Sequence, residues 1–421
     1  MRRLPGLCLS VLAWLIGAAA TAGEPPGSST LPIAERAWIA SQVYSLVNTY
    51  FGHWRAVPDL DFDRAFRVYL DEVLASADRR AFDLASMALI ARLKNGHSGF
   101  GDRWLRETYG QPLGFAARPI GADWVVTHSE VAGLAPGDVI LGIDGRPFED
   151  FFQAQRRYIA ASDERWARRA LCEHPYLFPG AFTLELDRGR QLRITRRGEF
   201  RWPGQDAAPV AAAEDDGVLW IRIESFASPS FEQAAVAAVR AHPGARAIVL
   251  DVRGNHGGST PEKLLGALMN KPYRWWSEST PASIGVFRYE GSMGAHADLS
   301  WFGDVTQPEE GAYGGAVVLL ADGGCFSACE DFVVSFKDNH RATIVGEPTA
   351  GSSGQPFQKA FGNGMGLGLS TKRESFPDGS VFEGVGIVPD VEVRMTAEDL
   401  RAGRDPALAK ARELAGHAAA R

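Results

Sequence analysis

The sequence predicts a multidomain chain of mixed α+β / α/β class, and three stretches predict it. Residues 32–93 place apolar side chains three and four apart, which is helical spacing. Residues 101–200 alternate apolar and polar positions, as half-buried strands do. From about 215 onward, strongly apolar strands alternate with amphipathic helices, the pattern of a sheet covered on both faces. The expected order is therefore a helical N-terminal domain (32–100), a small β-rich domain (101–200), a β-α-β core (205–396) and a C-terminal helix (397–421).

The elements follow in order. MRRLPGLCLSVLAWLIGAAATAG has two arginines, an apolar run and small residues before Gly23, so residues 1–22 read as a secretory signal peptide. The run is short for a membrane span, and no stable span is expected once it is cut. GEPPGSSTL (23–31) is a linker. LPIAERAWIASQVYSLVNTYF, FDRAFRVYLDEVLAS and DRRAFDLASMALIARLK are the helices of the first domain, which ends in the glycine-rich loop KNGHSGFGD (94–102). In the β-rich domain AFTLELDRGRQLRITRRG reads as a hairpin turning at DRG, with one helix near 162–171. In the core, GVLWIRIESF, ARAIVLDVRG, GAVVLLADGG and RATIVGEPTAG are strands, PSFEQAAVAAVRAHP and PEKLLGALMN are helices, and residues 365–393 read as a closing β-ribbon.

Composition narrows the function. The chain of 421 residues has a net charge of −7. Loss of Arg2 and Arg3 with the leader makes it about −9. No basic run appears, which excludes nucleic acid as an expected partner. Three cysteines remain after the leader: Cys172, Cys325 and Cys329. The last two are four apart, on one face of a continuous helix, and are expected as small buried packing residues rather than a pair. Two thiols and no HExxH exclude a zinc site, and no metal or organic cofactor is expected.

Three places carry candidate chemistry. In GGCFSACEDF (323–332) a strand runs through two glycines into Ser327 at the start of a helix. A serine there is exposed beside unpaired first-turn N–H groups, as a nucleophile requires, but serine also caps helices well. In DVRGNHGG (251–258) consecutive glycines let backbone N–H groups approach a ligand, and the N–H groups of Gly257 and Ala328 make a candidate oxyanion hole. His97 lies in a glycine-flanked loop at a domain junction, where side chains reach clefts. It is a candidate base or a structural histidine, and His256 competes with it. Glu383, before a glycine turn in EGVGIVPDV, either orients a histidine or is a surface carboxylate.

Together these blocks resemble the C-terminal processing protease / tricorn family of serine peptidases over residues 32–395. VAGLAPGDVILGIDGRPFED resembles the core of a PDZ domain, DVRGNHGG the family's oxyanion segment, FSACEDF its nucleophile segment, and RATIVGEPTAGSSG and EGVGIVPDVEV its next two blocks. The resemblance implies a PDZ-like β-rich domain, a crotonase-like ββα catalytic core, and Ser327 as nucleophile. Processing proteases of the family pair that serine with a lysine after "G-E-x-T-x-G"; Ser352 stands there instead, and Lys359 falls seven positions later. NGHSGF resembles the block of the tricorn-like branch, which uses a histidine, with Asn95 in place of the usual acid. The resemblance therefore implies His97 as base and Glu383 as its support, with Ser98 or Ser352 as the bridge between them.

The expected activity is an exported serine peptidase, in a bacterial periplasm or secreted, acting on a peptide or protein that the PDZ-like module captures through its C-terminus or by strand addition. Three rivals differ in chemistry: an inactive peptide-binding relative, an esterase-type acyl hydrolase, and crotonase-type thioester chemistry, against which export argues.

Overall fold

The computed structural model describes residues 28–196, 200, 210–282, 297–302 and 305–419. The expected leader and most of the linker lie outside the described residues. Among the described residues no helix is long and apolar enough to cross a membrane.

Helices α1 (Ile33–Tyr50), α2 (Phe62–Ala75) and α3 (Arg79–Ala91) form where the apolar spacing places them. Asp61 and Asp78 cap α2 and α3 by accepting from Arg64 N and Ala81 N. Ile39, Val43 and Val47 make one buried stripe along α1. Each such side chain contributes about 1.5–3 kcal/mol of burial as an upper estimate.

The chain then crosses into the core. Strand β1 (Gly99–Asp102) precedes α4 (Arg103–Tyr109). Next comes an antiparallel sheet of β2 (Phe115–Ile120), β3 (Asp123–Ser129), β4 (Val139–Ile143), β5 (Ala181–Leu186) and β6 (Arg190–Thr195), paired in that order. Two helices, α5 (Phe148–Gln155) and α6 (Glu164–Ala170), separate β4 from β5. The sequence shows α6 near 162–171 but not α5, whose FEDFFQAQ continues the strand-like VAGLAPGDVILGIDGRPFED stretch. These strands share one hydrophobic cluster with α1–α3, so the N-terminal helices and the β-rich unit pack on each other.

The core contains β7 (Val210–Asp215), β8 (Val218–Ile223), α7 (Pro229–Ala241), β9 (Ala247–Asp251), α8 (Glu262–Leu268), β10 (Ser277–Ala282), β11 (Ala297–Phe302), β12 (Ala316–Ala321), α9 (Ala328–Asp338), β13 (Thr343–Gly346), β14 (Pro356–Ala360), β15 (Met365–Ser370), β16 (Arg373–Ser375) and β17 (Val391–Glu392). Its central sheet runs β17-β13-β12-β9-β8-β7, parallel except for the β7–β8 pair. Both faces are covered, which is why β9 and β12 read as unbroken apolar runs. Ile248 and Leu250 of β9 enter one cluster with α9, while Ala247 and Val249 enter the other. The C-terminal helices are α10 (Ala397–Arg401) and α11 (Pro406–Ala419). Ala407, Ala411 and Ala415 press α11 onto that second face, so the tail closes the sheet rather than trailing from it.

The expected ribbon over 365–393 is not one ribbon. β15 pairs with β1 and β14, β16 with β10, and β17 with β13. Positive-φ glycines at 379, 384 and 386 turn the chain between partners. The β1–β15 pairing sets Gly99 opposite Gly368, binding the His97 loop to the core across some 270 residues of chain.

One buried group makes stability pH-sensitive. The Asp83 carboxyl on α3 is fully buried beside Asp102, whose own carboxylate is held by Arg79 at 2.6 and 2.9 Å. Burial and the Asp102 charge push the Asp83 pKa well above the carboxylate range, so the fold keeps it protonated. The folded state then binds a proton the unfolded chain has released, and stability falls as pH rises above about 4. Urea midpoints at pH 6 and 8 will show Asp83→Asn gaining on the wild type by up to about 1.4 kcal/mol per pH unit. Parallel curves would mean that Asp83 is ionised in the fold.

Candidate active site

Strand β12 ends at Asp322, and the turn to α9 passes through Gly323, Gly324, Cys325 and Phe326 to Ser327. Ser327 adopts φ 59°, ψ −127°, outside the wells a side chain prefers. Such strain persists only where the surroundings over-determine it. Here they do. Gly254 N and Gly324 N both donate to Asp322 Oδ1, at 2.8 and 2.9 Å, cross-linking the two glycine turns. Burial pushes the Asp322 pKa up, but Arg169, Arg118 and these N–H groups pull it down to about 2. Phe326 N donates to Asn255 O, and Ala350 N to Cys325 O. Cys325 and Cys329 form a disulfide, contrary to the expectation of two unpaired packing residues. Four positions apart is also the spacing that lets a strained turn and the first helical turn bring two Cβ atoms together.

Glu330, one turn into α9, is the anchor behind Ser327. Its buried carboxylate accepts from Thr349 Oγ1 (2.6 Å), Gly351 N (2.7 Å), Ser352 N (3.1 Å) and Ser327 N (3.3 Å). Burial pushes its pKa up, against the donors from Thr349, Gly351 and Ser352. Glu330 thus fixes the Ser327 turn to the loop that carries Ser352.

That loop meets His97. His97 Nδ1 lies 3.1 Å from Ser352 Oγ, and Ser352 Oγ donates to Glu383 Oε1 at 3.4 Å. With its hydrogen directed at Glu383, the Ser352 oxygen accepts from Nδ1–H, which assigns the tautomer with a bare Nε2. Nε2 is buried and makes no hydrogen bond, so it and Ser327 Oγ are not bonded in this conformation. The imidazole stacks on Phe326, next to Ser327, with centroids 4.3 Å apart. Burial, with His53 and Lys372 nearby, drives its pKa down to about 3.

Glu383 collects the rest. It accepts from Asn95 Nδ2 (2.7 Å), Ser162 Oγ (2.5 Å) and Ser353 N (3.0 Å), and His53 Nδ1 stands 3.9 Å away. Asn95 also takes His97 N and Ser98 Oγ on its Oδ1, so the amide in place of an acid both anchors Glu383 and shapes the histidine loop. Of the two bridge candidates, Ser352 lies between His97 and Glu383, whereas Ser98 turns to Asn95 and Ser370 N.

At the oxyanion turn Gly257 has φ 86°, and a Cβ there would lie 2.8 Å from Ala328 N and 2.9 Å from Ser327 Cβ. The two predicted donors are therefore neighbours. The Gly257 N–H is engaged by Asn255 Oδ1 at 2.8 Å. His256 is half-buried near Trp166, with its pKa lowered to about 4 by desolvation and Arg169, against Asp322. Lys359 sits on β14, opposite Leu367. Ser162 and His53 join the site without being legible in the sequence. His53 Nε2 bonds Ser370 Oγ at 2.8 Å and fills the space behind Glu383. Neither carries a motif signal, because both reach the site from distant segments.

Residues 217–393 match peptidase family S41. A carboxyl-terminal-processing protease of Synechocystis sp. is 26% identical over 268 residues, 62% of this chain and 56% of that protein, so the match spans about half of the relative's length. Among solved structures, mature CPAF superposes with a TM-score of 0.69 at 15% identity, covering 91% of this chain and 96% of that one. The photosystem II D1 C-terminal processing protease gives 0.51 at 20% identity, covering 85% and 93%. At these identities the likeness is one of fold.

Proposed function

We propose that this chain, whose residues 217–393 are a peptidase family S41 domain, is an exported serine peptidase in which Ser327 is the nucleophile and His97 its base. The observation that carries the reading is the chain His97 Nδ1–Ser352–Glu383, which leaves Nε2 bare, on an imidazole stacked against Phe326, the residue before the strained Ser327. Ser352 replaces a direct histidine–carboxylate contact with a hydroxyl relay. It still fixes the tautomer, as the third member of a triad must.

In the reaction Nε2 takes the Ser327 Oγ proton as the oxygen attacks the peptide carbonyl. The carbonyl oxygen becomes an oxyanion over Ala328 N–H, the first free donor of α9. Gly257 N–H joins once it exchanges Asn255 for the substrate. A donor of this kind is worth about 3–4 kcal/mol in the transition state. His97 then protonates the leaving amine, and water releases the acyl group by the same path in reverse. The unit of β2–β6, which bears the GLAPGD turn, is the PDZ-like second contact for the peptide. The leader and the Cys325–Cys329 disulfide both suit an oxidising compartment outside the cytoplasm.

A fluorophosphonate probe incubated with the processed chain, followed by peptide mapping, will place one adduct on Ser327 and none on Ser327→Ala. A chain that folds and never labels would be a binding relative without catalysis. An adduct together with hydrolysis of ester but not peptide substrates would make it an esterase.

A further inference from the structure

Arg165, Trp166 and Arg169 of α6, with Ser162 just ahead of its N-cap Asp163, reach toward the catalytic centre. Ser162 Oγ accepts from Gly96 N at 3.0 Å and donates to Glu383, so it joins the histidine loop to the carboxylate. Arg165 donates to Val385 O, two residues beyond Glu383. Arg169 stands 3.9 Å from Asp322, the brace of both glycine turns. Trp166 is buried, and its indole stacks on Phe326 at 4.5 Å and 14°. Phe326 in turn stacks on His97 at 4.3 Å and 10°. The phenyl ring is thus held between the indole and the imidazole.

The other side of α6 belongs to the β-rich unit. It packs on β2, the edge strand of that sheet. Arg168 grips Glu149 of α5 with two bonds of 2.6 Å and lies over the Phe152 and Trp124 rings. No other helix described above ties that sheet to Glu383.

We propose that Trp166 and Ser162 are positioning residues for the catalytic base: Trp166 fixes the plane of the His97 ring through Phe326, and Ser162 fixes Glu383 and the His97 loop. The hydroxyl relay holds only one ring nitrogen, which leaves the imidazole free to pivot about that bond. The three-ring stack removes that freedom and keeps water off the ring, adding about 0.5–1.5 kcal/mol per aromatic pair. His53 and Lys372, the titratable groups that act on His97, and Glu383, behind Ser352, are unchanged by substitution at Trp166. Ring hydration is therefore the variable that Trp166 controls.

This inference rests on His97 being the base, and the experiment separates the two. The probe is a fluorophosphonate, with its maximal inactivation rate and its half-saturating concentration measured from pH 4.5 to 8. Trp166→Ala will lower the maximal rate at least about 10-fold with the half-saturating concentration unchanged, and will move the acid limb toward the ordinary histidine pKa of about 6.5. Trp166→Phe will restore both. Ser162→Ala, which removes one hydroxyl and threatens the fold less, will also lower the maximal rate. A folded Trp166→Ala with wild-type rate and acid limb would overturn the proposal, as would a Trp166→Phe no better than alanine. If Trp166→Ala does not fold, an unchanged Ser162→Ala overturns it instead. Labelling that survives His97→Ala would remove the base itself, a failure of the earlier reading rather than of this one.

Discussion

His97→Ala will label with fluorophosphonate and cleave peptide substrate at least about 10⁴-fold more slowly than wild type, the loss typical when a triad base is removed. The variant should stay folded, because the imidazole makes only one side-chain hydrogen bond, to Ser352. Wild-type pH behaviour will be unusual. A base with its pKa near 3 remains neutral throughout mild acid, so protonation of His97 will not limit activity between pH 7 and 5. Stability will. His53, His97, His174 and His256 are all held below the ordinary histidine value, by burial first of all. Each is neutral in the fold and protonates on unfolding. The stability they contribute is complete above pH 6.5 and declines as pH falls below it. At pH 5 the loss is about 2 kcal/mol for each of His97 and His256. Inactivation on acidification should therefore coincide with the unfolding transition followed by circular dichroism. A rate that halves near pH 6.5 in a fully folded protein would contradict the burial of His97.

Glu330→Ala carries the second large effect. It leaves the donors from Thr349, Gly351, Ser352 and Ser327 without an acceptor in a buried site. Each buried donor left unsatisfied in this way costs about 1–3 kcal/mol, so the loss is a large part of the stability of an ordinary domain. Activity will be lost with it, because the same four bonds set the distance between Ser327 and the Ser352 loop. Glu330→Gln keeps one acceptor oxygen but turns an NH₂ toward the remaining donors, so its urea midpoint should lie between alanine and wild type. An alanine variant with a wild-type midpoint would mean that the loop holds itself.

Much of the site was legible in the sequence because its pieces are local. Ser327, Gly257 and Ala328 stand at strand-to-helix turns, where glycine spacing and helix starts are written in adjacent residues. His97 stood out through the glycines around it. The relay was half legible: Ser352 and Glu383 were named, but Ser98 competed for the bridge until backbone geometry placed Ser98 against Asn95 and Ser370. The sequence favours two packing residues over a disulfide on continuous-helix geometry, which does not hold across a positive-φ serine.

By itself the sequence determined most of the order of helices and strands, the covered central sheet, and the chemical types of the candidate groups. These depend on periodicity and on turn residues, which act within a few positions of the chain. Only the tertiary structure decided who touches whom over long separations: Ser162 with Glu383 across 221 residues, His53 with Ser370 across 317, and the ring stack from Trp166 to His97. A tryptophan on a short helix, or a serine just ahead of it, carries no local mark of its partner. Its role is set by the register of β1 on β15 and by the packing of α6 between two units, and both follow from burying apolar surface over the whole chain.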